Sequence, residues 1–199
     1  MIKTFLTKKN IFIIGLIVVT IGLSFTVYSG KDQDLRRVTI ESNYVTFETL
    51  ERLEEAADLI VVASPVNDFR DRKHVTTKFN DGAIQDFYTE TTIEIKKVIK
   101  GTSITDGQKI DIGEPISIAK EKGSDVVLSR NGYSEVEVTK NYILFLMKND
   151  AGLYFVIGNG GKYEDESTHA QEHEHDHVHG NDFTQEVMEK YGSLLQSAK

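Results

Sequence analysis

The sequence predicts a mainly β domain with flanking helices, an α+β fold, that follows one N-terminal transmembrane helix. Three observations predict this fold. An apolar run extends from Ile11 to Tyr28. Residues 87–95 alternate between buried-type and polar side chains, which is the period of a strand with one buried face. Two apolar runs, 142–147 and 153–157, are separated by a short turn segment, as in a β-hairpin.

The run from Ile11 to Tyr28 is long enough to cross a membrane. A hydrocarbon core of about 30 Å needs about 20 helical residues, with roughly 17 as the lower limit. Three lysines and no acid precede the run, and a basic N-terminal head normally stays in the cytoplasm. Residues 1–30 therefore predict a cytoplasmic head and a single-pass anchor in the cell membrane, with the bulk of the chain extracellular.

A cleaved secretory signal is the alternative interpretation of the same segment. Val27 and Ser29 could serve as the small residues before a cleavage site. The apolar run is longer than a usual signal core, and its flank lacks a clear A-x-A pattern, so we favour the anchor. Both interpretations place residues 31–199 outside the cytoplasm.

The charge of the exported part argues against nucleic acid as a partner. Once Lys3, Lys8 and Lys9 are set aside, 31 acidic residues face 20 of the 23 basic ones, a formal charge of −11. Phosphate binding needs clustered Lys and Arg. The chain has no cysteine, so its stability must come from an apolar core rather than from disulfides.

The segments that follow the anchor predict a stalk, a helix and a buried strand. Residues 31–45 are polar and without a sustained period, as in a stalk. Thr46 can cap a short helix with one apolar face; that face comprises Phe47, Leu50, Leu53 and Ala57. Residues 59–63 form a β-branched apolar run ended by Ser64 and Pro65, which is typical of a strand buried on both sides.

The middle of the chain predicts strands separated by loops. Residues 67–86 are polar and predict a loop, and residues 87–99 predict a strand whose phase slips at Lys96 and Lys97, where we place a β-bulge. Ile110 and Ile112 mark a third strand. Residues 113–132 predict a loop broken by Pro and Gly, with residues that could supply a further strand: Ile116, Ile118, Val126, Val127 and Leu128.

The end of the chain predicts a central hairpin, a polar connection and a docked helix. Both hairpin strands are apolar at nearly every position, so we expect core on one face and a helix on the other. Residues 164–181 contain too few aliphatic residues to pack and predict a loop. Asp182 can cap a final helix, 182–199, with an apolar stripe of Phe183, Val187, Tyr191 and Leu194.

Four ordered segments carry a family resemblance: AADLIVVASPV, YTETTIEIKKVIKG, GQKIDI and NYILFLMKNDAGLYFVIGNGGKY. Together they resemble membrane-anchored surface proteins of Gram-positive-type bacteria, and also the netrin-like barrel of tissue metalloproteinase inhibitors, a fold of the oligonucleotide/oligosaccharide-binding (OB) type. The resemblance covers residues 46–163 and implies a small OB-like barrel. Inhibitor activity does not carry over, because that family uses an N-terminal cysteine to reach zinc and this chain has none.

The sharpest chemical signal is a tract rich in histidine and acid, in which five of the six histidines fall between residues 169 and 179. Neutral imidazole is a favoured ligand of zinc, copper and nickel, and carboxylates add charge neutralisation. Several two- or three-histidine combinations compete, so binding is expected to be weak and exchangeable. The candidate ligands are His169, His173, His175, His177 and His179, with Glu172, Glu174 and Asp176.

This tract resembles the His-rich loops of bacterial zinc-uptake binding proteins, which implies metal capture outside the membrane. The alternatives are a merely solvating acidic tether and a pH sensor, since imidazoles titrate near physiological pH. The sequence therefore predicts a membrane-anchored extracytoplasmic protein that binds a divalent transition metal, with zinc as the expected ion. The alternative function is a metal-indifferent envelope module whose barrel binds a protein or a glycan.

Catalysis has little support in the sequence, and we expect no enzyme. His74 lies in the polar segment near Asp68, Arg70 and Asp71 and could act as a general base, but a solvent-facing His74 is the simpler interpretation. None of the motifs G-x-S-x-G, the P-loop or G-x-G-x-x-G occurs. The glycines at 158–161 follow a strand and predict its exit rather than a phosphate site.

Overall fold

The computed structural model describes residues 35–43, 45–164 and 183–198. Within them the chain forms ten strands, two α-helices and two short 3-10 helices. The strands are β1 Arg37–Ile40, β2 Leu59–Pro65, β3 Lys73–Lys78, β4 Ile84–Lys100, β5 Lys109–Glu114, β6 Ile116–Glu121, β7 Ser124–Arg130, β8 Tyr142–Lys148, β9 Tyr154–Val156 and β10 Lys162–Glu164. The α-helices are α1 Leu50–Ala56 and α2 Thr184–Ser197, and the 3-10 helices are Phe69–Asp71 and Asn159–Gly161.

Five strands close into a barrel. Their order is β2-β4-β5-β9-β8, and β8 pairs back with β2. The β5–β9 pair is parallel, and the other four pairs are antiparallel. Strands β3 and β10 extend this sheet beside β4 and β8. The prediction of a mainly β fold with flanking helices is confirmed, and the closed five-stranded barrel is compatible with an OB-like fold.

The apolar residues of β2 and β8 cover both faces of the barrel wall. Ile60 and Phe145 belong to a cluster that includes Val187 of α2 and Leu53 of α1. Because side chains alternate along a strand, their neighbours point to the opposite side, into the barrel. Val61 is one such neighbour and is fully buried. The predicted hairpin at 142–157 is therefore confirmed, with barrel core on one face and helix on the other.

The long strand β4 contains the bulge that the sequence predicts. In its pairing with β2, Val62 lies opposite Lys97 and Ala63 opposite Ile95, so Lys96 is the extra residue. A second shift leaves Ile99 extra before Lys100. Bulges bend a strand and increase its twist, which lets a strand of this length follow the curvature of a barrel.

Three segments that the sequence predicts as loops or as a stalk contain strands. The segment 67–86 is not a loop but contains a 3-10 helix, β3 and the start of β4. The segment 113–132 is not a single loop either. The further strand expected there is confirmed and is accompanied by a second one, since Ile116 and Ile118 lie in β6 and Val126, Val127 and Leu128 lie in β7. The β6–β7 turn uses Lys122 and Gly123, whose φ angles are 50° and 87°. The predicted stalk 31–45 contains β1, which pairs in parallel with β7.

Both helix caps also differ from the prediction. Thr49, not Thr46, caps α1, because its hydroxyl accepts a 3.3 Å hydrogen bond from the backbone N–H of Arg52. Phe183 holds the capping position of α2, and the predicted cap Asp182 lies outside the described residues.

No helix within the described residues has the length and apolarity needed to cross a membrane. The segment from Ile11 to Tyr28 lies outside those residues.

Candidate functional site

A buried ion pair lies at the end of the barrel where β5 ends and β8 begins. Glu114, the last residue of β5, is fully buried. Its carboxylate accepts hydrogen bonds from Arg72 Nη1 at 2.8 Å, Tyr133 Oη at 3.0 Å and the backbone N–H of Val136 at 2.8 Å. The hydroxyl of Thr91 donates to the same carboxylate. Four donors thus replace the water that the carboxylate loses on burial.

Arg72 is equally well paired. Its Nε donates to the carbonyl of Asn67 at 2.9 Å and its Nη2 to the carbonyl of Val136 at 2.6 Å, while its guanidinium lies 5.8 Å from the ring centroid of Phe69. A buried ion pair in which each group is satisfied adds little net stability over an apolar pair, but loss of one partner is severe. The pair therefore fixes the position of the loop 131–141, which supplies Val136.

A lysine connects the same loop to β10. Lys162 Nζ donates to the carbonyl of Ser134 at 2.5 Å and lies 2.9 Å from its Oγ, with the ring centroids of Tyr133 and Tyr142 at 4.7 and 5.6 Å. Burial lowers the pKa of Lys162, and the nearby carboxylate of Glu114 opposes that shift. Two oxygen acceptors and two ring faces favour the ammonium form. The lysine therefore anchors the loop rather than activating the serine as a base.

The tyrosines of this cluster remain protonated at physiological pH. Burial, followed by the negative charge of Glu114, raises the pKa of Tyr133 well above its ordinary value. Burial also raises the pKa of Tyr142. Both hydroxyls are engaged, since Tyr133 donates to Glu114 and Tyr142 accepts from the backbone N–H of Glu137 at 2.9 Å.

His74 is half-buried, so the expectation that it faces solvent is wrong. Its Nδ1 accepts from the backbone N–H of Ile118 at 3.1 Å, and its Nε2 lies 3.0 Å from the carbonyl of Phe69. A neutral ring with its proton on Nε2 satisfies both contacts, and Nδ1 also lies 3.0 Å from the hydroxyl oxygen of Thr89. Burial lowers the pKa of His74, and the positive charge of Arg72 acts in the same direction.

The environment of His74 favours a structural role over general-base catalysis. Asp68 precedes the 3-10 helix Phe69–Asp71, and Arg70 and Asp71 lie within it. The histidine joins that helix to β6, since its ring is bonded at both nitrogens and packs edge-on against Phe69 at 4.9 Å.

The outer face of the barrel carries an apolar patch. One cross-strand row runs from Lys73 through Glu90, Gly113 and Phe155 to Met147. The ring of Phe155 lies directly over Gly113, where a Cβ would be 2.2 Å from Cε1 of the ring. The ring of Tyr88 packs edge-on against it, with centroids 5.2 Å apart. We name Tyr88, Phe155 and Met147 the outer patch; Met147 is 48 % exposed.

The predicted metal ligands fall in the segment 165–182, outside the described residues. Those residues are His169, His173, His175, His177 and His179 with Glu172, Glu174 and Asp176. In the described part of the chain, no group of three or more metal-ligating side chains lies close enough to hold an ion.

Sequence reasoning did not identify the polar cluster. Arg72, Glu114 and Tyr133 come from three separate segments, so no short motif contains them. The only local signal is Glu114, an acid that directly follows the strand residues Ile112 and Gly113 and precedes a proline. No protein-family model matches this chain, and no curated protein is significantly similar to it.

Proposed function

We propose that this chain is a membrane-anchored extracytoplasmic protein that binds a divalent transition metal, zinc in the first place, through the tract 169–179. The observation that carries the proposal is the density of histidine, five residues in eleven with three interleaved acids. Neutral imidazoles and carboxylates together match zinc, copper and nickel.

The fold supports this proposal through the residues that border the tract. Tyr163 in β10 and Phe183 before α2 are both buried in the same apolar cluster, which also contains Phe145. The domain therefore holds the two flanks of the connection independently of any metal. Zinc should accordingly be captured and released without unfolding the barrel, unlike zinc in a closed four-ligand structural site.

Zinc titration of the full-length chain in detergent micelles tests the proposal. Alanine at His173, His175, His177 and His179 should abolish most of the heat of zinc binding and leave the melting temperature unchanged. A matched control places alanine at four other residues of the segment, Ser167, Thr168, Gln171 and Asn181, and should bind zinc like the native chain. Equal zinc affinity in the four-histidine variant would remove metal capture as the function.

A second candidate function is an interaction module of the envelope that binds a protein or a glycan through its barrel. The outer patch favours it, because Tyr, Phe and Met are enriched at protein interfaces and aromatic rings also stack on sugars. Its test compares binding of the full-length chain to isolated envelope fractions before and after Met147→Lys. Phe79→Lys is the control, since Phe79 is 53 % exposed and lies in the connection between β3 and β4, outside the outer patch. Loss of binding in Met147→Lys alone supports this candidate.

A further inference from the structure

The first strand of the domain is held to β7 by contacts that are specific but mostly exposed. The carbonyl of Arg36 accepts from the N–H of Val127 at 3.0 Å, and the carbonyl of Ile40 accepts from the N–H of Asn131 at 3.1 Å. Of the β1 side chains, Val38 packs on the cluster formed by Phe87, Ala119, Val126 and Leu128. Ile40 is 36 % exposed. Opening β1 therefore exposes little apolar surface.

Polar pairs fix the register of β1. Arg37 Nη2 contacts both oxygens of Glu135, at 2.7 and 2.9 Å. Just after the strand, the side-chain amide of Asn131 bonds to both backbone groups of Ser42, accepting from the N–H at 2.7 Å and donating to the carbonyl at 2.8 Å. A strand of different sequence would lose these pairs, so the edge of β7 selects for the sequence of β1.

The connection between β1 and α1 is suited to act as a hinge. The described residues between Ile40 and Leu50 form no helix or strand, and Val45 within them is 73 % exposed. Short connections of this kind allow an element to leave its own domain and occupy the same site in another copy.

We propose that the edge of β7 is a docking site for β1 of a second copy of this chain, so that two copies assemble by exchanging their first strands. The second copy is the occupant that the site fits, because its strand supplies the same contacts that are seen within one chain, among them Val38 for the apolar cluster, Arg37 for Glu135 and Ser42 for Asn131. The exchange goes beyond the metal-binding proposal and does not depend on it. Anchoring of both copies in one membrane would raise their local concentration and favour the exchange.

Charge reversal makes the exchange measurable. In the Arg37→Glu chain, the new carboxylate at position 37 faces the native carboxylate of Glu135. In the Glu135→Arg chain, the native Arg37 faces a second guanidinium at position 135. Each variant alone therefore places two like charges together. Only exchange between the two variants restores both ion pairs. When the two full-length variants are mixed in detergent micelles, the mixed dimer should be enriched roughly tenfold over dimers of either variant alone. The double variant in one chain should melt like the native protein.

The absence of cysteine allows the exchanged strand to be trapped. Thr39 and Ser129 are direct neighbours in the β1–β7 register, so Thr39→Cys is placed in the first variant and Ser129→Cys in the second. A short thiol cross-linker should join the two chains. Thr39→Cys combined with Thr77→Cys is the control, because Thr77 lies in β3 and is not a neighbour of Thr39 in the β1–β7 register. An excess of a peptide of residues 36–43 should compete with the exchanged strand and reduce the cross-link.

Each outcome decides the proposal. A cross-link between Thr39→Cys and Ser129→Cys, above the control pair and reduced by the peptide, supports strand exchange. Monomers in the mixture, with no more cross-link than the control pair, overturn it. A dimer that forms without this cross-link also overturns it, because another surface must then join the copies. Zinc titration of the mixture reports separately on the metal tract.

Discussion

His74 shows how a single residue is constrained by its neighbours. Both ring nitrogens are occupied, one by a backbone donor and the other by a backbone acceptor. Burial disfavours a second, charging proton on the ring, and Arg72 adds a positive charge nearby. The folded protein therefore binds this proton less tightly than the unfolded chain does.

The resulting pH dependence has a definite sign. Because the pKa of His74 is lowered by folding, the neutral ring contributes stability above the unfolded pKa of about 6.5, and this stability is lost as the pH falls through the folded pKa. His74→Gln keeps one donor and one acceptor but does not titrate. Thermal melts from pH 7.5 to 5 should show the native chain losing stability relative to this variant. Parallel curves would mean that His74 does not change its protonation with folding.

The Arg72–Glu114 pair explains why the loop 131–141 has a defined position despite its polar sequence. Tyr133 and Val136 are buried, and both bond to Glu114. Such a network depends on residues from three segments meeting in space, which no pattern within one segment can indicate.

Among the elements, β5 and β9 are joined by an unusual contact. The ring of Phe155 occupies the space that a side chain at position 113 would need. Glycine inside a strand is unfavourable by itself, but an aromatic ring on the neighbouring strand can cover the exposed backbone. The pairing therefore requires glycine at 113 and a flat ring at 155 together.

Gly113→Ala should accordingly be destabilising. The added methyl would lie 2.2 Å from the Phe155 ring, so the ring must move, with a loss of about 1–3 kcal/mol of unfolding free energy. In the double variant with Phe155→Leu the loss should be smaller than the sum of the single losses. Urea unfolding measures both. Gly192→Ala in α2 is the control, and it should raise the unfolding free energy by up to about 1 kcal/mol. Alanine favours a helix more than glycine does, and the added methyl at position 192 would make only ordinary contacts.

The elements that the sequence predicts are those with a clear pattern of apolar residues. Strand β2 and the β8–β9 hairpin are continuous apolar runs, and the bulge in β4 is visible as a change of phase at Lys96. Strand β3, with the sequence KHVTTK, was missed because it has only half-buried and exposed positions, and two of its three half-buried residues, His74 and Thr76, are polar. Strand β1 was missed because a single valine, Val38, marks its buried side.

For the whole molecule, the helices and the barrel share one core. Phe145 of β8 is fully buried and contacts the rings of Tyr163 in β10 and Tyr191 in α2, at 5.8 and 6.4 Å between centroids. On the surface above it, Lys190 Nζ and Tyr191 Oη both bond to Glu54 of α1. Docking of α2 is therefore part of the domain's stability.

Phe145→Asp should unfold the whole domain. It places an unpaired carboxylate among apolar side chains, which is unfavourable by several kcal/mol and comparable with the total stability of a domain of this size. Met147→Asp, two residues further along the same strand, makes the same charge change at a side chain that is 48 % exposed. Circular dichroism melts should show a cooperative transition for Met147→Asp alone. A folded Phe145→Asp variant would mean that α2 and the barrel do not share a core.

The parallel pairing of β1 with β7 also sets an order of events during synthesis. Arg37 of β1 and its partner Val127 of β7 are 90 residues apart in the chain. At a translation rate of about 5–20 residues per second, the partner strand is completed roughly 5–18 s after β1. For that interval β1 is the earliest strand of the domain to emerge and its own β7 does not yet exist. The rate of translation, rather than the energetics of the finished fold, therefore determines how long this strand is exposed to chaperones and proteases.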